Sequence, residues 1–231
     1  DQFVTSGATK WKQDVGLTML LPHGFDGMGP EHSSARPERF LALASAGNLT
    51  ICNVSTAAQY FHMLRRQGLS IQGEKTCPLI VFTPKSLLRD KRAASPVAEL
   101  TSGNFQEVLI VGDPTKARRI ILCTGKVRHD LLDHRATLDN PDDFLVVSME
   151  QLYPLPLPQL KELFESMRGK QWYWCQEEPR NMGAWSFALQ RFLDQGITLT
   201  YAGRPESSSP ATGSYRRHSA EQTYLINEAF R

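Results

Sequence analysis

Cysteine is scarce, and what there is forms no pattern. Four cysteines (Cys52, Cys77, Cys123 and Cys175) stand far apart with no C-x-x-C pair. That excludes a disulfide framework and leaves no paired ligands for a structural zinc. Three of them lie in apolar strings, "LTICNV", "RIILCTG" and "WYWCQ", and are expected as buried, reduced thiols of a reducing compartment. Long apolar runs are missing too: none approaches the roughly 18 residues that a membrane helix needs, so no membrane span is expected. "DQFVTSGATKWKQD" has neither the basic start nor the apolar stretch of a signal peptide. Neither charge is in excess. The 26 Lys and Arg against 24 Asp and Glu leave +2, which argues against a dedicated nucleic-acid binder, whose binding face is strongly basic. The sequence has no internal repeat and no low-complexity tract. The glycines of "GFDGMGP" (Gly24, Gly27 and Gly29) fit neither the dinucleotide pattern G-x-G-x-x-G nor a P-loop, which needs a following Lys-Ser/Thr.

What is present is globular: 231 residues, 41% hydrophobic and 22% charged, enough for one large or two ordinary domains. Strand-like and helix-like stretches alternate. "GLTMLLP" (16–22) is an unbroken apolar run closed by proline, as in a strand buried on both faces. A helix over 37–45 follows with Pro37 in its first turn, then a strand over 49–55. Ser55 or Thr56 can cap the next helix, whose apolar stripe is Ala58, Phe61, Met63 and Leu64 and whose stop is Gly68. A third buried strand spans 77–84. The stretch 90–104, charged and turn-rich, is the candidate linker. Alternation then resumes: strands over 118–124, 143–149, 171–176 and 197–201, helices over 126–137, 157–168 and 183–194, and a last helix from about Ser219. Such alternation implies two α/β units with mainly parallel sheets. The first unit has only three strands and a polar start, and looks like the second half of a domain.

Chemistry concentrates in residues 23–40. In open α/β sheets ligands sit beyond the carboxyl ends of the strands, where the loop leaving the first strand carries His23, Glu31, His32, Ser33 and Arg36. Imidazole titrates near neutrality and arginine suits an anion, so these residues are the leading site candidates. His62, Arg65 and Arg66 are read as cations favoured at a helix C-terminus. Glu177 and Glu178 are adjacent in a strand and expected on opposite faces. They are read as a helix N-terminal charge or a salt bridge across an interface, not as an acid/base pair. "EQLYPLPLP" (150–158) reads as a stiff strand-to-helix link, and Arg204 either holds an anion or anchors its loop.

The strings "LLPHGFDGMGPEHSSARPERFL", "QYFHMLRRQ", "PLIVFTPKSLLR", "ILCTGKV", "MEQLYPLPL", "WCQEEPRNMGAW" and "YAGRPESSSPATG" closely resemble, in order and end to end, the thiamine-diphosphate-dependent decarboxylase (first) component of the 2-oxoglutarate dehydrogenase complex. The relative acting on 2-oxoadipate shares much of this. The resemblance implies the second half of a transketolase-like pyrimidine-binding domain over 1–98 and a transketolase C-terminal-like α/β domain over 99–231. It implies a homodimer using thiamine diphosphate and Mg2+, bound mainly by a part of the family's chain that this sequence does not match, and no metal ligand here. It further implies decarboxylation of a 2-oxoacid, acyl transfer to lipoamide on the dihydrolipoamide acyltransferase component, and a segment inactive alone. The expected compartment is the cytoplasm in a bacterium or the mitochondrial matrix in a eukaryote. The histidine of "EHSSAR" matches His32, implied in substrate recognition, with His23 as the weaker candidate. Some members bind an acyl-CoA or nucleotide effector, for which Thr50, Arg66 and Gln151 match, whereas Asn104 and Pro158 depart from the pattern. A non-catalytic scaffold of transketolase C-terminal type is the alternative from a different class.

Overall fold

Two sheets packed on a shared core organise the chain. The computed structural model describes residues 1–26, 29–73 and 75–231; Gly27, named above among the loop glycines, lies outside the described residues. After a short helix α1 (Gly7–Trp11), the first sheet takes β1 (Thr18–Leu21), β2 (Thr50–Cys52) and β3 (Leu79–Phe82), with helices α2 (Pro37–Leu43) and α3 (Ala57–Ile71) between them. A connector with helix α4 (Val97–Thr101) leads to β4 (Val108–Val111), β5 (Arg119–Cys123), α5 (Val127–Ala136) and β6 (Phe144–Met149). Next come β7 (Gln151–Tyr153), α6 (Leu157–Ser166), β8 (Gln171–Pro179), α7 (Trp185–Leu193), β9 (Leu199–Arg204) and α8 (Tyr215–Phe230).

The second sheet has the order β4-β6-β5-β8-β9, parallel throughout except for β4 against β6. The first has the order β1-β3-β2-β7, with β1 and β2 both parallel to β3 and β7 antiparallel to β2. Its fourth strand therefore comes from beyond the 98/99 boundary expected from the sequence. "EQLYPLPLP" is thus more than a link. Its apolar-polar alternation is short, and its strand character comes from the partner strand, not from its own composition.

A continuous apolar cluster spans both sheets, with Ile51, Ile80 and Phe82 on one side and Leu122, Val147 and Trp174 on the other. The far face of the second sheet is covered by α5 and α8 over Ile121, Val146 and Leu225. Helix α3 covers the first sheet around Cys52, Met63 and Val81. Three of the four free cysteines are buried as expected, and Cys77 is half-buried.

Several expectations need correction. Strand β1 is not buried on both faces: it is an edge, and Leu20 is 49% exposed. An apolar run reports what the sequence could bury, not how many neighbours the strand has. Helix α3 runs through Gly68 to Ile71, because Gly68 is tolerated inside a helix at about 1 kcal/mol. Its buried face is Ala58, Gln59, His62, Met63 and Gln67, leaving Phe61 exposed. Polar residues enter that face because they bond the connector: Gln59 pairs with the backbone of Gln106, and His62 Nε2 lies 2.7 Å from Glu99 O. Strand β4 is an addition to the expected strands. Helix α8 starts a turn earlier than expected, where the Ser214 side chain accepts from the Arg217 amide.

Candidate functional site

The loop 22–36 leaves the carboxyl end of β1, and the C-terminal ends of β5 and β8 face it from the second sheet. This is where an α/β architecture gathers ligand-binding groups. Among the described residues of the loop, Phe25 (φ 49°) and Arg36 (φ 57°) hold left-handed backbone without being glycine. Such strain of about 1–3 kcal/mol per residue persists only where surroundings enforce it. Phe25 is buried under the Arg204 guanidinium, 4.4 Å from its ring. Arg36 directs Nη1 to Met182 Sδ at 3.0 Å, while Glu38 accepts the Gly183 amide at 2.9 Å. The entrance of α2 is thus fastened to the turn after β8.

Gly24 and Gly29 do not hold a positive φ. Gly24 is needed for space: a Cβ there would collide with Pro84 Cβ and lie 2.9 Å from Pro84 Cα. Its amide also donates to His32 O at 2.9 Å. Gly24→Ala is therefore expected to displace the loop, destabilising by about 1–3 kcal/mol as overpacking does. Thermal melting beside Gly29→Ala tests this, because the nearest atoms to a Gly29 Cβ belong to the movable Glu31 carboxylate.

His23 is buried, and its Nε2 lies 2.8 Å from Glu178 Oε1. Burial pushes the Glu178 carboxyl up, but the hydrogen bond and charge of His23 outweigh it and hold Glu178 below the usual carboxylate range. His32 sits in a 3-10 turn (Pro30–His32) with its side chain 29% exposed, and Nε2 lies 3.4 Å from Glu31. Ser33 is buried and closes that turn by donating its amide to Pro30 O. The five loop residues are accordingly brought together, His23 inside and His32 at the rim.

Three charged groups lie beneath. Lys126, at the start of α5, bonds Glu177 of β8 and reaches Asp26 of the loop at 3.4 Å. Asp26 also accepts from the Ser86 amide and hydroxyl at 3.1 and 2.9 Å. Burial pushes the Glu177 carboxyl up to about 7, with Lys126 pulling against it. Lys126 itself is pushed down by burial and, more strongly, up by Glu177 and Asp26. A carboxyl whose folded value exceeds its unfolded value near 4.5 binds more protons in the native state over that window. The contribution of Glu177 to stability is then fully present below pH 4.5 and is lost as pH rises through 7. Glu150 adds a slope of the same sign, since burial raises it too. The stability of the parent relative to Glu177→Gln in denaturant unfolding is therefore expected to fall between pH 4.5 and 7, and a constant difference refutes the assignment.

The bridge across an interface expected of Glu177 and Glu178 is present. A register irregularity between Gln176 and Pro179 lets consecutive carboxylates serve the same loop through different partners. Asp26 and Lys126 join the site although the sequence alone did not single them out; the available signal is a lysine at a helix N-terminus, where cations are disfavoured. Arg204 is an anchor, bonded to Glu221 at 2.9 Å, Glu177 O at 2.6 Å and Gln222 at 3.1 Å.

Of the residues matched to an effector site, Arg66 and Gln151 stand together. Arg66 bonds Gln151 at 2.5 Å and Glu107 at 3.0 Å and stacks on Phe105, whereas Thr50 lies against Cys77 Sγ at 3.4 Å. Because α3 continues beyond them, Arg65 and Arg66 bind the connector and β7 instead of capping their own helix.

A family model described as 2-oxoglutarate dehydrogenase C-terminal matches residues 94–230, and one described as transketolase, pyrimidine binding domain matches residues 1–91. The 2-oxoglutarate dehydrogenase E1 component of Cupriavidus necator is 44% identical over all of this chain and 24% of its own. That of Bacillus subtilis is 44% identical over 99% of this chain and 25% of its own, and that of a Geobacillus species is 46% identical over 98% and 25%. The chain spans about a quarter of the length of these relatives.

Proposed function

The chain belongs to the 2-oxoglutarate dehydrogenase E1 family, and from that membership we propose that it is the C-terminal part of a 2-oxoglutarate decarboxylase chain. The observation that carries this reading is the loop 22–36, held by both sheets at their strand ends, with one histidine buried on a carboxylate and another at the rim. In this role His32 donates a hydrogen bond to the 2-oxoacid or moves a proton at its Nε2. His23, fixed by Glu178, holds the loop wall against Phe82, with ring centroids 5.7 Å apart. Glu31, Ser33 and Arg36 keep His32 in place.

Thiamine diphosphate and Mg2+ are the cofactors this reading brings. The ligands of their diphosphate and metal are read as lying in the part of the family's chain that this sequence does not match. Isothermal titration of the chain alone is therefore expected to give no micromolar, Mg2+-dependent binding of thiamine diphosphate. A second subunit and a lipoyl-bearing acyltransferase complete the proposed assembly. The domain division remains 1–98 and 99–231, with β7 shared across it. Among the described residues no helix is long and apolar enough to cross a membrane.

The test is release of CO2 by the full-length protein with 2-oxoglutarate and 2-oxoadipate compared. Preference for 2-oxoglutarate is expected. Preference for 2-oxoadipate overturns the substrate, and release from neither overturns the enzymatic reading in favour of a scaffold.

A further inference from the structure

We propose that Lys126 is a positioning residue: its ammonium latches the histidine-bearing loop to the second sheet by bridging Asp26 and Glu177. The proposal rests on the functional reading of that loop given above.

The placement argues for a purpose. Lys126 occupies the N-cap position of α5, where the partial positive charge of the helix end repels a cation. Its side chain is 14% exposed, and those of Asp26 and Glu177 are 7% each. An ammonium hidden from water is costly unless carboxyl groups satisfy it, and removing it strands the Asp26 carboxylate. The lysine backbone is itself fixed. Gly125 has φ 69°, donates its amide to Asn53 O at 3.1 Å, and leaves no room for a Cβ, which would meet the Asn53 amide group at 2.5 Å. Thr124 donates to Met149 O at 2.7 Å. The ammonium therefore stands on a rigid turn that both sheets hold. Asp26 is only three positions from His23 and is anchored on its other side by Ser86. Other charged neighbours are already committed: Glu178 to His23, Arg204 to Glu221 and the Glu177 carbonyl, and Asp130 to Arg92 and Gln222. The Lys126–Asp26 contact is thus a charged tie from β5 to the loop, separate from the His23–Glu178 tie to β8.

The test uses the full-length protein with Lys126→Met, Lys126→Arg, Asp26→Asn and the Met/Asn double variant. The readouts are kcat and KM for 2-oxoglutarate and amide hydrogen exchange of residues 29–36. Mispositioning by about 1 Å costs roughly 100-fold in rate. Lys126→Met is accordingly expected to lower kcat/KM by about 10–100-fold, with a raised KM and faster exchange in 29–36. Lys126→Arg should restore most of the loss, and Asp26→Asn should add little once Lys126 is gone, because both break one contact. A purely structural lysine would reduce the active fraction and leave KM unchanged. Parent-like KM and exchange in Lys126→Met, or additive effects in the double variant, overturn the proposal. If Lys126→Met fails to fold, Asp26→Asn alone decides on the same readouts. If the parent releases no CO2, the functional reading fails, and the exchange measurement still decides whether the latch exists.

Discussion

Replacing His32 by alanine in the full-length protein is expected to lower decarboxylation of 2-oxoglutarate by on the order of 10–1000-fold, the range for one positioned acid–base or charge-stabilising group. The fold should hardly notice. The side chain is 29% exposed, and among the described residues its ion-pair partner is Glu31, at 3.4 Å. The contact that shapes the loop, from the Gly24 amide, goes to the His32 carbonyl, which alanine keeps. Truncating a half-buried side chain that leaves the loop's backbone contact intact is expected to cost about 1 kcal/mol, the ordinary effect of a point change. His32→Gln separates two chemistries: it retains a hydrogen-bond donor and should recover part of a binding role, but none of a proton-transfer role. Steady-state kinetics with thermal melting of each variant are sufficient. Parent kinetics in His32→Ala would make the loop a structural turn.

His23→Leu should behave in the opposite manner, costing stability first. It strands Glu178, which is bonded to the lost imidazole at 2.8 Å with its side chain only 13% exposed. Removing one partner of a buried pair costs about 3–5 kcal/mol. Glu178 is held below its ordinary value of 4.5 in the parent, so the stabilisation is complete above 4.5 and is lost as pH falls through the lower folded value. The gap between parent and variant in denaturant unfolding should therefore narrow in acid. The double variant His23→Leu/Glu178→Leu should recover much of the loss at neutral pH, since a well-packed apolar pair replaces a buried ionic one at little cost. If the single and double variants are equally destabilised, the pair is not what holds the loop.

The loop is legible in the sequence because its chemistry is dense and local: His23, Glu31, His32 and Arg36 lie within one turn-rich string after an apolar run. Equally legible is the order of β5, α5, β6, α6, β8 and α7, whose periodicity is strong and whose ends shift by at most about three residues, the usual uncertainty of a boundary read from sequence. What stays hidden depends on partners distant in sequence. Lys126 reads as an ordinary helix start until Asp26 and Glu177 are set beside it, the one far upstream and the other well downstream. Arg66 reads as a helix-end cation and, with Gln151, as an effector-site match, and Gln59 carries no signal of its own, yet the three fasten α3 to the connector and β7. The exposure of β1 is illegible for another reason, because an edge is a property of the sheet and not of the strand.

Strand β7 constrains how the molecule is made. Glu150 alone separates β6 in one sheet from β7 in the other. Its carboxylate takes the Ser55 amide and hydroxyl at 2.7 Å each and the Ser148 hydroxyl at 2.6 Å. As the chain emerges from the ribosome, β1, β2 and β3 can pair early, but the outer side of β2 stays open until β7 arrives, well after the first sheet's other strands. A long-range strand that arrives late leaves an unpaired edge exposed in the nascent chain. The first sheet is therefore complete only once β7 has been made. A polypeptide ending at residue 98 should emerge with β2 unsheltered and associate through it, while one reaching residue 153 should not.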